Sequence, residues 1–196
     1  IITHTVKQAA GRAYVLAGTG GNVTTKSVEA TCQAADAGVD GVLLITPYYN
    51  RPSQAGLISH FGEIASSTNV DVMLYSVPGR TGVSIEPETA SALAKNHPNI
   101  VGIKEAGGDV TRVTALRAAC DPKFVVHCGD DGLALPFFAL GARGLTSVLS
   151  NFAPRECISL YRAWCGGDQQ TALSIHEHLA PLALANCAIT NYRKTN

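Results

Sequence analysis

The sequence predicts an α/β fold built on a parallel sheet. Three observations carry that reading: six short apolar, β-branched runs, helical patterns standing between them, and a strand-to-strand period of about 25 to 30 residues. Such alternation argues for parallel strands joined by right-handed crossovers, with no linker or break within the chain.

Taken in order, AYVLAGT (13–19) is the first strand pattern, and TTKSVEATCQAADAG after it reads as a helix with Gly38 as its C-terminal cap. GVLLITPYY (41–49) follows, then SQAGLISHFGEIASS, a helical pattern that starts from the cap residue Ser53. DVMLYSV (71–77) precedes IEPETASALAKN, where Pro87 stands in the first helical turn. NIVGIKEA (99–106) precedes DVTRVTALRAAC, which opens on Asp109. KFVVHCG (123–129) and GLTSVL (144–149) complete the strands, and APRECISLYRAWCGG with DQQTALSIHEHLAPLALA reads as a helical tail.

Composition narrows the function classes. The 196 residues are 46% hydrophobic and 15% charged, with a mean hydropathy of +0.13. A chain of this size buries roughly 70% of its unfolded surface on folding. Lys plus Arg equals Asp plus Glu at 15 each, without a basic cluster, so neither nucleic acid nor an anionic membrane is an expected partner. No apolar run approaches the roughly 18 residues of a membrane span, and no signal-peptide pattern opens the sequence. A cytoplasmic, reducing compartment is expected. The six cysteines (Cys32, Cys120, Cys128, Cys157, Cys165 and Cys187) lack CxxC spacing and read as free, mostly buried thiols rather than disulfides or a metal site. His176 and His178, two helical positions apart, are turned by about 200° and point away from each other.

An open doubly wound sheet and a closed barrel both fit the alternation. GTGGN (18–22) lacks the third glycine of a dinucleotide-binding turn, because position 23 is Val, so it reads as a backbone turn at a strand end. Polar residues gather instead at the C-terminal ends of strands: Thr19 and Asn22, Thr46 to Asn50, Tyr75 to Thr81, Lys104 and Glu105, Asp130 and Asp131, and Ser150 and Asn151. Barrel enzymes place their chemistry there.

One residue breaks the apolar pattern. In VGIKEA, Lys104 shares a face with Gly102, while Val101 and Ile103 share the other, so Lys104 points into the sheet's interior side. The same rule in DVMLYSV pairs Met73 with Tyr75, which allows Tyr75 and Lys104 to converge from neighbouring strands. A partly desolvated amine loses affinity for its proton and becomes a nucleophile suited to forming a Schiff base with a ketone. The alternative is an inward lysine that merely pairs with a carboxylate such as Glu105.

TPYYNRPSQAGLISHF (46–61), LYSVPGRTG (74–82), VGIKEAGGDVTRV (101–113) and GDDGLALPFFALGARGLTSVLSN (129–151) together resemble the dihydrodipicolinate synthase family. Its members are pyruvate-dependent class I aldolases of lysine biosynthesis, within the broader group that includes N-acetylneuraminate lyase. The resemblance runs from about Ile1 to Pro181. It implies a (β/α)8 TIM barrel followed by a helical region, usually in a homotetramer made of two tight dimers. For this sequence it implies about six barrel strands within residues 1–152, an incomplete barrel, with the helical region over 153–196 packed on the same domain.

The resemblance further implies condensation of pyruvate with L-aspartate 4-semialdehyde to 4-hydroxy-tetrahydrodipicolinate, with a covalent lysine–pyruvate imine and no separate cofactor or metal. Lys104 matches the imine-forming lysine, and Tyr75 the tyrosine that relays protons beside it. Tyr49 matches a tyrosine that crosses a dimer interface into the neighbour's site. Arg80 matches the arginine that holds the second substrate's carboxylate, and the GRTG motif favours this family over the sugar-acid aldolases. Thr146 matches a position whose backbone carbonyl faces the lysine. Tyr48 and Asn22 match the cleft for the feedback inhibitor lysine, whereas a glutamate common there aligns with Lys26, a charge reversal that predicts weak or absent inhibition.

The family pattern also has two strands before the first one here and a GTTGE-like segment that supplies a threonine between the two tyrosines. Neither has a counterpart in this sequence, and Ile1 aligns inside the helix that precedes the third family strand. Two readings therefore stand: an aldolase, or a truncated chain that keeps the scaffold and only binds or associates. A six-stranded sheet is expected to expose two edges and apolar faces.

Overall fold

The computed structural model describes the backbone of residues 1–192 and the side chains of residues 1–185. The side chain of Cys187 and residues 193–196 of the expected helical tail lie outside the described residues. Helix α1 (Ile2–Ala9) is followed by β1 (Leu16–Gly18), α2 (Thr24–Asp36), β2 (Gly41–Ile45) and α3 (Gln54–Ser66). Next come β3 (Asp71–Ser76), a short α4 (Pro78–Thr81), α5 (Pro87–Asn96), β4 (Ile100–Glu105), α6 (Thr111–Ala119) and β5 (Val125–Cys128). The chain ends with α7 (Ala134–Ala139), β6 (Gly144–Leu145), α8 (Pro154–Cys165) and α9 (Gln169–Tyr192). The six strands form one sheet, all parallel, in the order β1 to β6. This is the incomplete (β/α) barrel, and the doubly wound alternative, whose strand order reverses at a switch point, is excluded.

The helix signals act where the sequence puts them. Ser53 Oγ accepts from Gly56 N at 3.2 Å, which satisfies one of the free amides at the start of α3. Gly38, at φ +86°, ends α2 in a left-handed conformation that costs a glycine nothing. Asp109 receives both Thr111 N (2.9 Å) and Thr111 Oγ1 (2.7 Å) ahead of α6.

All six strands are shorter than their apolar runs, three of them by four residues, each of these for an identifiable reason. The first starts at Leu16 because Val15 N is taken by the Asp40 carboxylate at 2.7 Å. The second stops at Ile45, ahead of Pro47 and of Tyr49 and Arg51, whose φ values of +73° and +45° are incompatible with extended backbone. The last covers only Gly144 and Leu145, because Val148 N and Leu149 N donate to Asp131 Oδ2 at 3.0 and 3.1 Å instead of to a ladder.

Register sorts the sheet into two faces. Leu44, Leu74, Ile103 and Val126 lie side by side across β2 to β5 and are fully or almost fully buried beneath the helices. Each such side chain contributes about 1.5–3 kcal/mol by leaving water. Phe61, Ile64, Leu93, Leu116 and Phe137 close over them from α3, α5, α6 and α7. Leu160 of α8 and Ala172 of α9 join the same core, and Leu149, Ala153, Cys157, Leu179 and Ala183 make a second, smaller cluster.

Both outer strands border open grooves. One of about 720 Å³ runs beside β1, between Ile2 of α1 and Ala34 of α2, and one of about 510 Å³ runs beside β6, between His127 and Tyr161. Among the described cysteines all are free; Cys120, Cys128 and Cys157 are buried, Cys32 is half-buried and Cys165 is exposed. No described helix is long and apolar enough to cross a membrane.

Candidate active site

The face opposite the core carries a second row in register: Ile45, Tyr75, Lys104 and His127, ending at Gly144. A register shift between Val72 and Met73 aligns it. Val72 pairs with Ile100, but Met73 pairs with Gly102, so Val101 is passed over and Tyr75 comes to lie opposite Lys104. Unshifted pairing from Val72 and Ile100 sets Ile103 against Tyr75.

Lys104 is 9% exposed, and its Nζ stands 4.2 Å from the centre of the Tyr75 ring. Two glycines make this arrangement possible. A Cβ on Gly129 would lie 2.8 Å from Lys104 Cε, and one on Gly102 would lie 2.4 Å from the Val125 carbonyl oxygen. The first keeps space for the lysine stem, and the second lets β4 and β5 approach at the strand that carries it.

Burial lowers the proton affinity of the Lys104 amine; the Asp131 carboxylate opposes that shift, and the Arg80 guanidinium adds to it. Burial raises the Tyr75 phenol, against a smaller opposing pull from Arg80. Among the described residues no carboxylate forms an ion pair with Lys104. Glu105 points to the other side of the sheet, fully buried, with its Oε2 2.9 Å from Arg112 Nε. The reading of Lys104 as a lysine paired with Glu105 is thereby excluded.

Arg80 sits at the end of α4, exposed, close enough for its charge to act on both Lys104 and Tyr75. Thr146 N donates to Cys128 O at 2.8 Å, and its hydroxyl lies 3.2 Å from Nδ1 of His127, the in-register neighbour of Lys104. Tyr48, Tyr49 and Asn22 occupy the loops after β2 and β1. The Asn22 carbonyl accepts from Asn50 Nδ2 at 2.9 Å, which ties these two loops together. Tyr49 is 92% exposed in a left-handed backbone conformation that costs a non-glycine residue about 1–3 kcal/mol. It makes no hydrogen bond or ring contact among the described residues. The fold thus brings Tyr75 and Arg80 to Lys104, sets Thr146 beside the neighbouring His127, and places Tyr48, Tyr49 and Asn22 in the loops after β2 and β1.

Sequence reading singled out neither His127 nor the fixed geometry of Asp131. His127 has the same two-residue parity in KFVVHCG as Lys104 has in VGIKEA, a signal that was available. Burial lowers its proton affinity, and its ring fills the space above Gly144, where a Cβ would come within 2.4 Å of Nε2. Asp131 accepts from Ser147 Oγ as well as from the two amides of Val148 and Leu149. Its partners lie 16 to 18 residues away, so nothing in the local pattern marks it. Among the described residues no group of three or more His, Cys, Asp or Glu side chains is arranged to hold a metal ion. A desolvated amine beside a phenol and a guanidinium is equipped to attack a carbonyl carbon and to hold a carboxylate nearby.

The same arrangement of elements occurs in known proteins. The chain is 46% identical over 183 residues to a 4-hydroxy-tetrahydrodipicolinate synthase of Methanosphaerula palustris, a match that covers 93% of this chain and 62% of that protein. Among solved structures, the dihydrodipicolinate synthase of Aquifex aeolicus superposes with a TM-score of 0.91 at 42% identity, again over 93% of this chain and 62% of the other. A chloride-inhibited dihydrodipicolinate synthase from Acinetobacter baumannii, complexed with pyruvate, matches at a TM-score of 0.89 and 42% identity, with the same coverage. The chain therefore spans about three fifths of the length of these relatives. Residues 1–195 match the model of the Dihydrodipicolinate synthetase family, and the chain belongs to that family.

Proposed function

We propose that the chain carries the Schiff-base centre of a 4-hydroxy-tetrahydrodipicolinate synthase, which joins pyruvate to L-aspartate 4-semialdehyde. The observation that carries this reading is the Lys104 amine: buried, unpaired among the described residues and lying over Tyr75. The neutral amine adds to C2 of pyruvate, water leaves, and a C=N bond joins substrate to protein. Loss of a proton from the pyruvate methyl group gives an enamine whose carbon attacks the aldehyde of the second substrate. Tyr75 moves protons at the imine, and Arg80 holds the aldehyde substrate's carboxylate through paired hydrogen bonds. The backbone of Thr146 borders the pyruvate side of the lysine. Tyr49, projecting from the surface at a strained position, completes the site of a second copy in a homo-oligomer, with a dimer of dimers as the expected assembly. The reaction needs no cofactor beyond the imine. The pyruvate complex of the Acinetobacter baumannii relative supports the choice of first substrate.

Borohydride reduction in the presence of pyruvate tests the reading. An adduct of about 72 Da on Lys104 alone is expected. A folded chain that takes no label would reduce Lys104 to a structural lysine. The open grooves beside β1 and β6 favour a second reading, in which this 196-residue chain by itself associates without turning over substrate. A labelled Lys104 with silent turnover fits that second reading.

A further inference from the structure

Lys104 and Arg80 stand on different segments, so a reaction that uses both needs their separation fixed. Arg80 lies in the stretch from Pro78 to Glu86, which leaves the end of β3 and returns toward α5. That stretch is pinned at two points after Arg80. At the first, the buried Thr81 takes a hydrogen bond from Thr46 Oγ1 at 3.0 Å, and its own hydroxyl lies 3.2 Å from Val77 O and 3.1 Å from Val83 O. At the second, Ile85 N donates to Ser76 Oγ at 3.3 Å, and Ile85 O accepts from Arg112 Nη2 at 2.5 Å.

Arg112 joins this stretch to the lysine strand. Its Nε is 2.9 Å from Glu105 Oε2, and its Nη1 is 3.6 Å from Glu86 Oε2. Glu105 directly follows Lys104, and its second oxygen accepts from Gly107 N at 2.7 Å. Gly107 in turn packs on the start of α4, where a Cβ would meet Pro78 Cγ at 3.4 Å. One guanidinium therefore grips the last residue of β4, the Ile85 carbonyl and the Glu86 carboxylate at once. A planar fork fixes direction as well as distance, which a lysine or an apolar pair does not. A buried ion pair also gains little net stability over apolar residues of the same volume, so stability alone is a poor account of this one.

We propose that the Glu105–Arg112 pair is a positioning clip that sets the separation of the Lys104 amine from the Arg80 guanidinium, and with it the length of oxo acid the site accepts. The ligand class is a straight-chain oxo acid that spans in one molecule what pyruvate and the semialdehyde fill separately, with a carbonyl for Lys104 at one end and a carboxylate for Arg80 at the other. The proposal rests on the Schiff-base reading given above. Neither Glu105 nor Arg112 touches substrate; both act through the two segments they hold.

The separation is measurable on the chain itself, without turnover. Glyoxylate, 4-oxobutanoate and 5-oxopentanoate are trapped on Lys104 with borohydride, each against the uncharged aldehyde of equal length. One length is expected to label at least about 10-fold faster than its neutral counterpart, and Arg80→Ala to abolish that preference. Arg112→Lys, and the paired change Glu105→Gln with Arg112→Met, are expected to flatten the preference to within about 2-fold while pyruvate labelling stays within about 3-fold. The paired change removes both buried charges together, which keeps the fold free of an unpaired ion, and melting curves accompany each variant. A length preference that survives in either folded variant overturns the clip, as does a wild-type chain that labels all lengths alike. Failure of every oxo acid and of pyruvate to label Lys104 overturns the Schiff-base reading itself, and the clip falls with it.

Discussion

The Lys104 amine lies 4.2 Å above the centre of the Tyr75 ring, on the strand next to its own. The ring face attracts the ammonium form and burial opposes it, so the two act on the lysine's proton in opposite directions. Tyr75→Phe separates the ring from its hydroxyl. It is expected to leave pyruvate labelling of Lys104 within about 3-fold and to lower turnover by about 10²-fold in a catalytically competent assembly. Equal losses in labelling and turnover would show that the phenol serves only to position the lysine.

Asp131 opposes the effect of burial on the lysine. Its carboxylate is held by Ser147 and two backbone amides, which keeps it oriented, and its charge favours the ammonium form of Lys104. Removing that charge lowers the amine's proton affinity further, so more of it is neutral at a given acidic pH. In Asp131→Asn, the pH midpoint of borohydride trapping is expected to move to lower pH. A midpoint that stays put or rises would show that Asp131 acts on the loops alone.

His60 connects acid stability to the packing of α2 on α3. Its Nδ1 lies 2.9 Å from Thr24 Oγ1, while Nε2 is buried with no hydrogen-bond partner among the described residues. Burial holds its pKa below the ordinary 6.5, with Glu63 in partial opposition. As pH falls through 6.5, the unfolded chain gains a proton that the folded chain refuses, so the unfolded state binds more protons and stability declines until the lowered folded value is reached. His127, lowered in the same direction, adds to that slope. His60→Asn retains a polar group near Thr24 without titrating, and should flatten the acid-side loss by up to about 1.4 kcal/mol per pH unit. Urea unfolding at neutral and mildly acidic pH measures the slope, and an unchanged slope would sink the assignment.

Lys26 stands exposed in the first turn of α2, beside the loop that carries Asn22. A cation there meets the positive end of the helix, and it is expected to repel the ammonium group of any lysine ligand bound near Asn22 and Tyr48. Lys26→Glu is expected to raise stability by about 0.3–1 kcal/mol through the helix end. It should also tighten lysine binding by roughly 3- to 5-fold. Calorimetric titration with lysine reads the second effect, and tight binding by the unaltered chain would contradict it.

Much of the fold was legible in the sequence because each element carries its own local signal. Strand parity in VGIKEA turned Lys104 to one face and Ile103 to the other, Ser53 and Gly38 marked helix ends through backbone chemistry, and the repeat of strand and helix required parallel pairing. These are properties of a few consecutive residues, and physics acts on them before the chain has folded. Other features depended on residues far apart. That Tyr75 faces Lys104 follows from a register shift at Val72 and Met73, which no local pattern announces, since either register leaves one face apolar at its start. The last strand stops after two residues because a carboxylate from the segment after β5 takes the amides of Val148 and Leu149. Glu105, adjacent to the lysine in sequence, belongs to Arg112 on the opposite face. Period-two geometry separates Glu105 from Lys104, but only the return of α6 over the sheet supplies its partner. Sequence alone determined which residue types stand at the strand ends; tertiary structure decided their neighbours, because proton affinity and reach depend on burial and on charges brought in by distant segments.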